Sequence, residues 1–236
     1  MLVIPVSGGC APRGRQRVSI SERKRPFSQA CEENKGPILE VIGPLFAGVR
    51  SVLEIGSGTA QHAVAFAAAL PHLTWHTSDR RENHPGIRLW IAEAGLENLP
   101  PPLDLDVARG AWPEGPFEAV FSANTAHIMS WPEVRAMFRG VARVLTRGGV
   151  FALYGPFNRD GRYTSASNAR FDRWLKERDR RSGIKDLAVL DALARELGME
   201  LVQDHAMPVN NRTLVWRRSA AEFLDQHPRS RGPRGA

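Results

Sequence analysis

The chain has 236 residues, of which 42% are apolar, and this length suits one α/β domain whose core needs no disulfide or metal. Its two cysteines, Cys10 and Cys31, form no CxxC pair, so we expect no zinc site and no disulfide framework, as is usual in a reducing cytoplasm. The net charge of +7 comes mainly from the two ends, because the middle of the chain is nearly balanced.

Hydrophobic periodicity predicts strands and helices in alternation along the chain. The predicted helices span 36–47, 59–70, 85–94, 132–146, 169–178 and 186–198. The predicted strands span 51–55, 73–78, 103–107, 117–122, 150–154, 199–205 and 212–218. This order predicts a doubly wound, seven-stranded, mostly parallel sheet with an antiparallel C-terminal hairpin.

The two ends of the chain differ in composition from the domain between them. We expect residues 1–25 to be a disordered basic extension, or the product of a start codon placed too early, and residues 219–236 to be a tail. Nucleic-acid binding through these basic tails is the alternative. No run approaches the roughly 18 apolar residues of a membrane helix, and no signal peptide is evident. The domain is expected to span 26–218, with an insertion at 155–185 on the substrate side.

The strongest local signal is the glycine loop at residues 54–59, which follows a predicted strand and opens a helix. Glycines at such a turn let the backbone approach a ligand closely. A dinucleotide-binding enzyme would carry a third glycine where this chain has the bulky Gln61, which disfavours a nicotinamide-dependent dehydrogenase. A carboxylate ahead of the glycines would instead attract a cation such as S-adenosylmethionine (SAM); a plain strand-to-helix turn is the alternative. The candidate cofactor-binding residues of the loop are Glu54, Gly56, Ser57, Gly58 and Thr59.

Two acidic residues follow the next two strands. Asp79 lies 21 residues after Gly58, a distance at which a carboxylate suits the hydroxyls of a ribose. Asp106 follows the third strand and would accept a hydrogen bond from an adenine amino group, although Asp104 competes for this role. For both acids, a solvated loop position is the alternative.

Asn124 and His127 follow the fourth strand, on the edge of an open α/β sheet where ligands bind. Asn124 is a candidate catalytic residue and also a candidate cofactor contact. His127 would act as a general base at neutral pH, or would be structural, as a single histidine often is. Tyr154 is a further candidate catalytic residue, and Asn210 completes the set of candidates for the substrate cavity.

These pieces occur in the order found in class I SAM-dependent methyltransferases, and the chain resembles that group over roughly residues 26–218. More narrowly, it resembles the uncharacterised family that contains methyltransferase-like protein 26. The pieces that carry the resemblance include Gln61-His62, Ser167-Asn168 and Phe171-Asp172, and the narrower ones are Asn34-Lys35, Tyr154-Gly155-Pro156-Phe157 and Asn210-Asn211. One departure is Glu33, where arginine is expected.

The resemblance implies a Rossmann-like methyltransferase fold, SAM as the cofactor, no metal, and a small-molecule or protein acceptor. It places the substrate-binding candidates at Asn34, Lys35, Phe157, Asn210 and Asn211. A nucleic-acid base methyltransferase is disfavoured, because residues 124–127 read Asn-Thr-Ala-His instead of an Asn/Asp-Pro-Pro-aromatic motif. A non-catalytic SAM-binding or partner-binding protein remains the alternative from another class.

Overall fold

The computed structural model describes residues 25–220, so the predictions for residues 1–24 and 221–236 lie outside the described residues. Six α-helices are present in this part of the chain: α1 (Gln29–Leu45), α2 (Gln61–Ala69), α3 (His84–Ala94), α4 (Trp131–Val144), α5 (Ala166–Arg178) and α6 (Leu187–Glu196). The strands of the same range are β1 (Ser51–Ile55), β2 (Thr74–Asp79), β3 (Leu103–Asp104), β4 (Phe117–Ala123), β5 (Leu145–Gly155), β6 (Phe157–Asn158), β7 (Lys185–Asp186), β8 (Met199–Met207) and β9 (Asn211–Arg218).

Seven strands form one sheet in the order β3-β2-β1-β4-β5-β9-β8. The first five of them in sequence pair in parallel, whereas β9 runs antiparallel to β5 and β8 antiparallel to β9. The short strands β6 and β7 pair separately. The predicted seven-stranded, mostly parallel sheet with a C-terminal antiparallel hairpin is confirmed.

Two hydrophobic cores lie on opposite faces of the sheet, because neighbouring residues of a strand point to opposite sides. Val52 of β1 packs with Ile42 of α1 and Phe66 of α2 in the first core. The next residue, Leu53, packs with Phe138 of α4 in the second core, which α6 also joins. Both faces are therefore covered by helices, which explains why the parallel strands are almost continuously apolar.

Several predicted element bounds are wrong; the fifth strand, for example, begins at Leu145 instead of residue 150. The first helix begins at Gln29, seven residues before the predicted start, and Ser28 caps it through a hydrogen bond to its side chain from the Cys31 amide. Pro37 lies inside this helix instead of in its first turn. The third strand ends at Asp104 instead of continuing to residue 107, because the Asp106 side chain accepts hydrogen bonds from the Ala108 and Arg109 amides and closes a turn.

No helix within residues 25–220 combines the length and the apolar character that crossing a bilayer requires.

Candidate functional site

A cavity of about 720 Å³ opens at the carboxyl ends of the parallel strands, where the glycine loop follows β1. Three further segments that follow β2, β3 and β4 reach the same cavity, and the N-terminal turns of α1 cover it. The cavity lining includes most of the predicted site residues: Asn34, Gly56, Ser57, Gly58, Thr59, Asp79, Asp106, Asn124, His127, Tyr154 and Asn211.

Gly56 is required at its position for two reasons. Its φ of 72° lies in the left-handed region, and a Cβ there would lie 2.5 Å from the Thr125 Cγ2 atom. Thr125 is itself fixed, because its hydroxyl lies 2.6 Å from the Ser122 hydroxyl, which donates to the Ile55 carbonyl. The loop after β4 therefore packs directly against the glycine loop, and only glycine leaves enough space between them.

Glu54 lies beneath the glycine loop and does not line the cavity. Its carboxylate accepts hydrogen bonds from the Ser57 hydroxyl at 2.8 Å and from the Trp75 indole at 3.1 Å. Burial raises the pKa of Glu54 to about 7 despite these two donors, and the nearby Asp79 carboxylate adds to the rise. The structure thus gives this acid a role in holding the loop through Ser57.

Asp79, at the end of β2, connects the glycine loop to the turn that follows. One carboxylate oxygen accepts a hydrogen bond from the Gly58 amide at 2.8 Å. The other accepts from the Arg80 amide and the Asn83 side chain, each at 2.8 Å. Each carboxylate oxygen has two lone pairs, so the side chain keeps acceptor capacity toward the cavity that it lines.

Asp106, not Asp104, reaches the cavity. The Asp104 carboxylate pairs with the exposed Arg81 side chain and does not contribute to the lining. The neighbouring Leu105 and Val107 also line the cavity, so this segment contributes both apolar surface and a carboxylate to it.

His127 is almost buried, with 7% of its surface exposed, and it lines the cavity. Its ring packs edge-to-face on Phe171 with 5.1 Å between ring centroids. Burial, together with the positive charge of Lys185, lowers the pKa of His127 to about 4. The imidazole is therefore neutral at pH 7, and it is a weaker base than an unperturbed histidine.

Three of the predicted substrate-binding residues do not line the cavity. Phe157 is buried in the second core, and Lys35 forms an ion pair with Glu32 on α1. Asn210 is exposed, and its side chain donates to the Ser167 hydroxyl. Asn211, by contrast, donates to the Tyr154 hydroxyl at 2.9 Å within the cavity wall.

Gln61 ties α1 to the start of α2. Its carbonyl oxygen accepts from the Ser28 amide and the Thr59 hydroxyl, and its amide donates to the Ser28 carbonyl and to Glu32. Next to it, the His62 ring lies 2.6 Å from the Asn34 side-chain oxygen. These contacts hold the N-terminal turns of α1 over the cavity, an arrangement that the glycine-loop pattern alone does not indicate.

We expect Gln61→Leu to loosen this cover, because the change removes four hydrogen bonds at a buried position, each worth about 1 kcal/mol. Amide hydrogen exchange in residues 28–35 should become at least about tenfold faster, since tenfold corresponds to about 1.4 kcal/mol, while exchange in the sheet stays the same. The matched control is Gln203→Leu on β8, where the exposed side chain has one hydrogen-bond partner within residues 25–220, His205. Unchanged exchange in residues 28–35 would contradict this account of Gln61.

Lys185 is a buried residue that the sequence analysis does not identify. Its ammonium donates to the Met129 carbonyl at 2.7 Å and to the Gly183 carbonyl at 2.8 Å, and the Gly183 amide donates to the His127 carbonyl. Burial lowers the pKa of Lys185 to about 8. It fixes the loop that carries His127, yet a single lysine in a polar segment gives no signal of such a role.

No group of three or more His, Cys, Asp and Glu side chains within residues 25–220 is placed to hold a metal ion.

Comparison with solved structures shows the same fold in methyltransferases. The SAM-dependent methyltransferase SibL, in its apo form, is 27% identical with a TM-score of 0.69, over 80% of this chain and 56% of that one. An O-methyltransferase family protein from Burkholderia thailandensis is 18% identical with a TM-score of 0.71, over 82% and 58%. Human N-acetylserotonin methyltransferase in complex with SAM is 13% identical with a TM-score of 0.66, over 81% and 53%.

This chain thus spans just over half the length of those proteins. The family model described as a protein of unknown function, DUF938, matches residues 25–218, which is most of the chain. The chain therefore belongs to the DUF938 family, and its fold is that of the class I SAM-dependent methyltransferases.

Proposed function

We propose that this protein is a SAM-dependent methyltransferase that acts on a small-molecule acceptor. The observation that carries the proposal is the bond between the glycine loop and the end of β2: the Gly58 amide donates to the Asp79 carboxylate, and both residues line the cavity. The cavity of about 720 Å³ is within the range of small-molecule sites. The narrower resemblance to the family of methyltransferase-like protein 26 is part of the same proposal.

The charge of the cavity favours a cationic ligand. Among residues 25–220, four carboxylates line it, and Arg80 is the one arginine or lysine in the lining. The four are Glu33, Asp79, Asp106 and Glu133. SAM carries a sulfonium and an ammonium group, whereas a dinucleotide would bring a pyrophosphate into this negative field. Gln61 further disfavours a dinucleotide, because its side chain fills the position of the third glycine with bonds to α1.

In this proposal, each wall of the cavity would bind one part of SAM. Asp79 would accept hydrogen bonds from the ribose hydroxyls, and Asp106 from the adenine amino group, with Leu105 and Val107 packed against the ring faces. Asn124 also lines the cavity. Its backbone is in the left-handed conformation, and its amide donates to the Tyr154 carbonyl. When bound, SAM supplies a methyl group already activated by the sulfonium.

The chain's own task is then to position the acceptor and exclude water. His127, Tyr154 and Asn211 offer hydrogen-bonding groups on the acceptor side, with Phe171 forming an apolar wall. The neutral His127 imidazole would accept a hydrogen bond from an acceptor hydroxyl and orient it.

We expect SAM and S-adenosylhomocysteine, but not NAD, to raise the melting temperature. Ligand at about 100 times its Kd stabilises the native state by about 2.7 kcal/mol. For a domain of this size, this corresponds to a rise of roughly 5–10 °C. A rise with NAD and none with either SAM species would contradict the proposal. Tight binding of SAM without methylation of any molecule in a cell extract would instead favour a non-catalytic binding protein.

A further inference from the structure

Asn168, in the first turn of α5, brings a buried amide side chain to the wall of the cavity. The residue lines the cavity, and only 5% of its surface is exposed. Its amino group donates to the Thr164 hydroxyl at 3.0 Å and to the Asn210 carbonyl at 3.2 Å. Both amide hydrogens are therefore used. Because a backbone carbonyl can only accept, the contact with Asn210 fixes which branch of the side chain carries the oxygen.

The side-chain oxygen of Asn168 accepts no hydrogen bond from any residue within 25–220. In the same part of the chain, the unpartnered side-chain oxygens that are fully enclosed belong to Thr77, Asn158 and Thr213. The Asn168 oxygen is not among them, so it retains accessible surface, and the cavity is the space that this buried residue lines. A buried amide oxygen without a partner costs free energy, which a ligand with an O–H or N–H group would recover.

Most of the buried polar side chains that line the cavity already have partners. The partnered ones are Ser57, His62, Asp79 and Thr125. His127 differs from them, because neither of its ring nitrogens has a hydrogen-bond partner in the described part of the chain. Two buried groups, the His127 imidazole and the Asn168 oxygen, are therefore left to be satisfied by a ligand.

Apolar surface connects these two groups. Phe171 lies three residues after Asn168 on the same side of α5, and its ring is 5.1 Å from that of His127 between centroids. Ile128 and Val209 also line the cavity, although 59% and 77% of their surfaces are exposed. A ligand that reaches both polar groups therefore contacts apolar side chains between its two ends.

We propose that Asn168 determines which methyl acceptor binds, by accepting a hydrogen bond from an O–H or N–H group of that molecule. The methyl acceptor is then a neutral molecule with an apolar body, a hydroxyl that faces His127, and a second hydrogen-bond donor that faces Asn168. The inference rests on the proposed methyltransferase function. An anionic group at Asn168 is disfavoured, because the amide oxygen and the carboxylates of the cavity repel negative charge.

The test is calorimetry with S-adenosylhomocysteine present and with two matched pairs of phenols. One pair is p-hydroxybenzyl alcohol and p-ethylphenol, and the longer pair is tyrosol and p-propylphenol. Within each pair the phenol is kept and the distal hydroxyl is replaced by a methyl group of similar size. We expect the alcohol to bind roughly threefold to tenfold more tightly than its alkyl partner in at least one pair, because the methyl group leaves the Asn168 oxygen unpaired. The anion p-hydroxyphenylacetate should bind more weakly than tyrosol.

Two variants and one spectroscopic measurement assign the preference to Asn168. Asn168→Ala should bind alcohol and alkyl partner equally. Ser167→Ala is the matched control: it removes the bond that the Asn210 side chain donates to the Ser167 hydroxyl, leaves the Asn168 oxygen in place, and should keep the preference. In the wild-type protein, the alcohol should shift the NMR signals of the Asn168 side-chain amide more than its alkyl partner does.

Equal or tighter binding of the alkyl partner in both pairs, a preference that survives in Asn168→Ala, tighter binding of p-hydroxyphenylacetate than of tyrosol, or no saturable binding of either alcohol at low millimolar concentration would overturn the inference. Binding of S-adenosylhomocysteine is measured separately in every protein. A loss of its affinity in Asn168→Ala would assign this residue to the cofactor and would also overturn the inference. Failure of S-adenosylhomocysteine to bind the wild type, with the alcohol preference intact, would count against the methyltransferase function and not against the role of Asn168.

Discussion

Replacing Asp79 with alanine is expected to weaken binding of S-adenosylhomocysteine by at least about tenfold, since charge-assisted hydrogen bonds contribute roughly 1.5–3 kcal/mol. Two losses act together in this variant. The ribose hydroxyls lose their acceptor, and the Gly58 amide loses the bond that holds the glycine loop in place. Calorimetry of the purified variant measures the combined effect.

Two further variants separate these contributions. Asp79→Asn keeps an oxygen that accepts from the Gly58 amide but removes the charge, so its affinity should lie between wild type and alanine. Asp104→Ala removes an acid from the same edge of the sheet, where the side chain pairs with Arg81 outside the cavity, and should leave affinity unchanged. Equal affinity in wild type and Asp79→Ala would show that Asp79 is only a loop acid.

The parts of the fold that could be predicted from the sequence are those set by local patterns. The apolar run at 51–55 and the glycines after it predict a buried strand and a close turn, and β1 spans those same residues. The start of α1 could not be predicted, because residues 29–35 are mostly polar and Pro37 is typical of a first helical turn. Their helix is stabilised by tertiary contacts, above all with Gln61.

In the candidate site too, local sequence patterns predict some features, whereas others depend on tertiary contacts. Asp79, Asp106 and His127 could be predicted because the ends of neighbouring parallel strands meet at one edge. The position of Glu54 beneath the loop depends on Trp75, which lies on the next strand, and no spacing in the sequence indicates that hydrogen bond. The low pKa of His127 is likewise a consequence of burial and of Lys185, 58 residues away in the sequence.

His127→Phe is expected to lower turnover by about 10²–10⁴-fold while S-adenosylhomocysteine still binds, if the imidazole contacts the acceptor and assists loss of its proton. Phenylalanine keeps a ring to pack on Phe171 and removes the two nitrogens. The readout is S-adenosylhomocysteine formed per enzyme with an accepted substrate, beside the Kd for S-adenosylhomocysteine. Loss of both together would mean that His127 supports the loop that holds Asn124 and does not act on the acceptor.

The pH dependence of the free energy of unfolding below pH 7 tests the protonation of the His127 imidazole, and this test needs no substrate. The pKa of His127 is about 4 in the native state and near 6.5 in an unfolded chain, so the unfolded state binds more protons below pH 6.5. The native state therefore loses stability as pH falls from 6.5 toward 4, by about 3 kcal/mol for this one group.

Urea unfolding at pH 7 and pH 4.5 measures this effect. The free energy of unfolding should fall less between the two pH values in His127→Phe than in wild type. The buried His62, whose pKa burial also lowers to about 4, contributes a loss of the same sign in both proteins and cancels in the comparison. An NMR titration of the His127 ring with a midpoint near 6.5, or the same acid loss in both proteins, would show that the imidazole is solvated and free to act as an ordinary base.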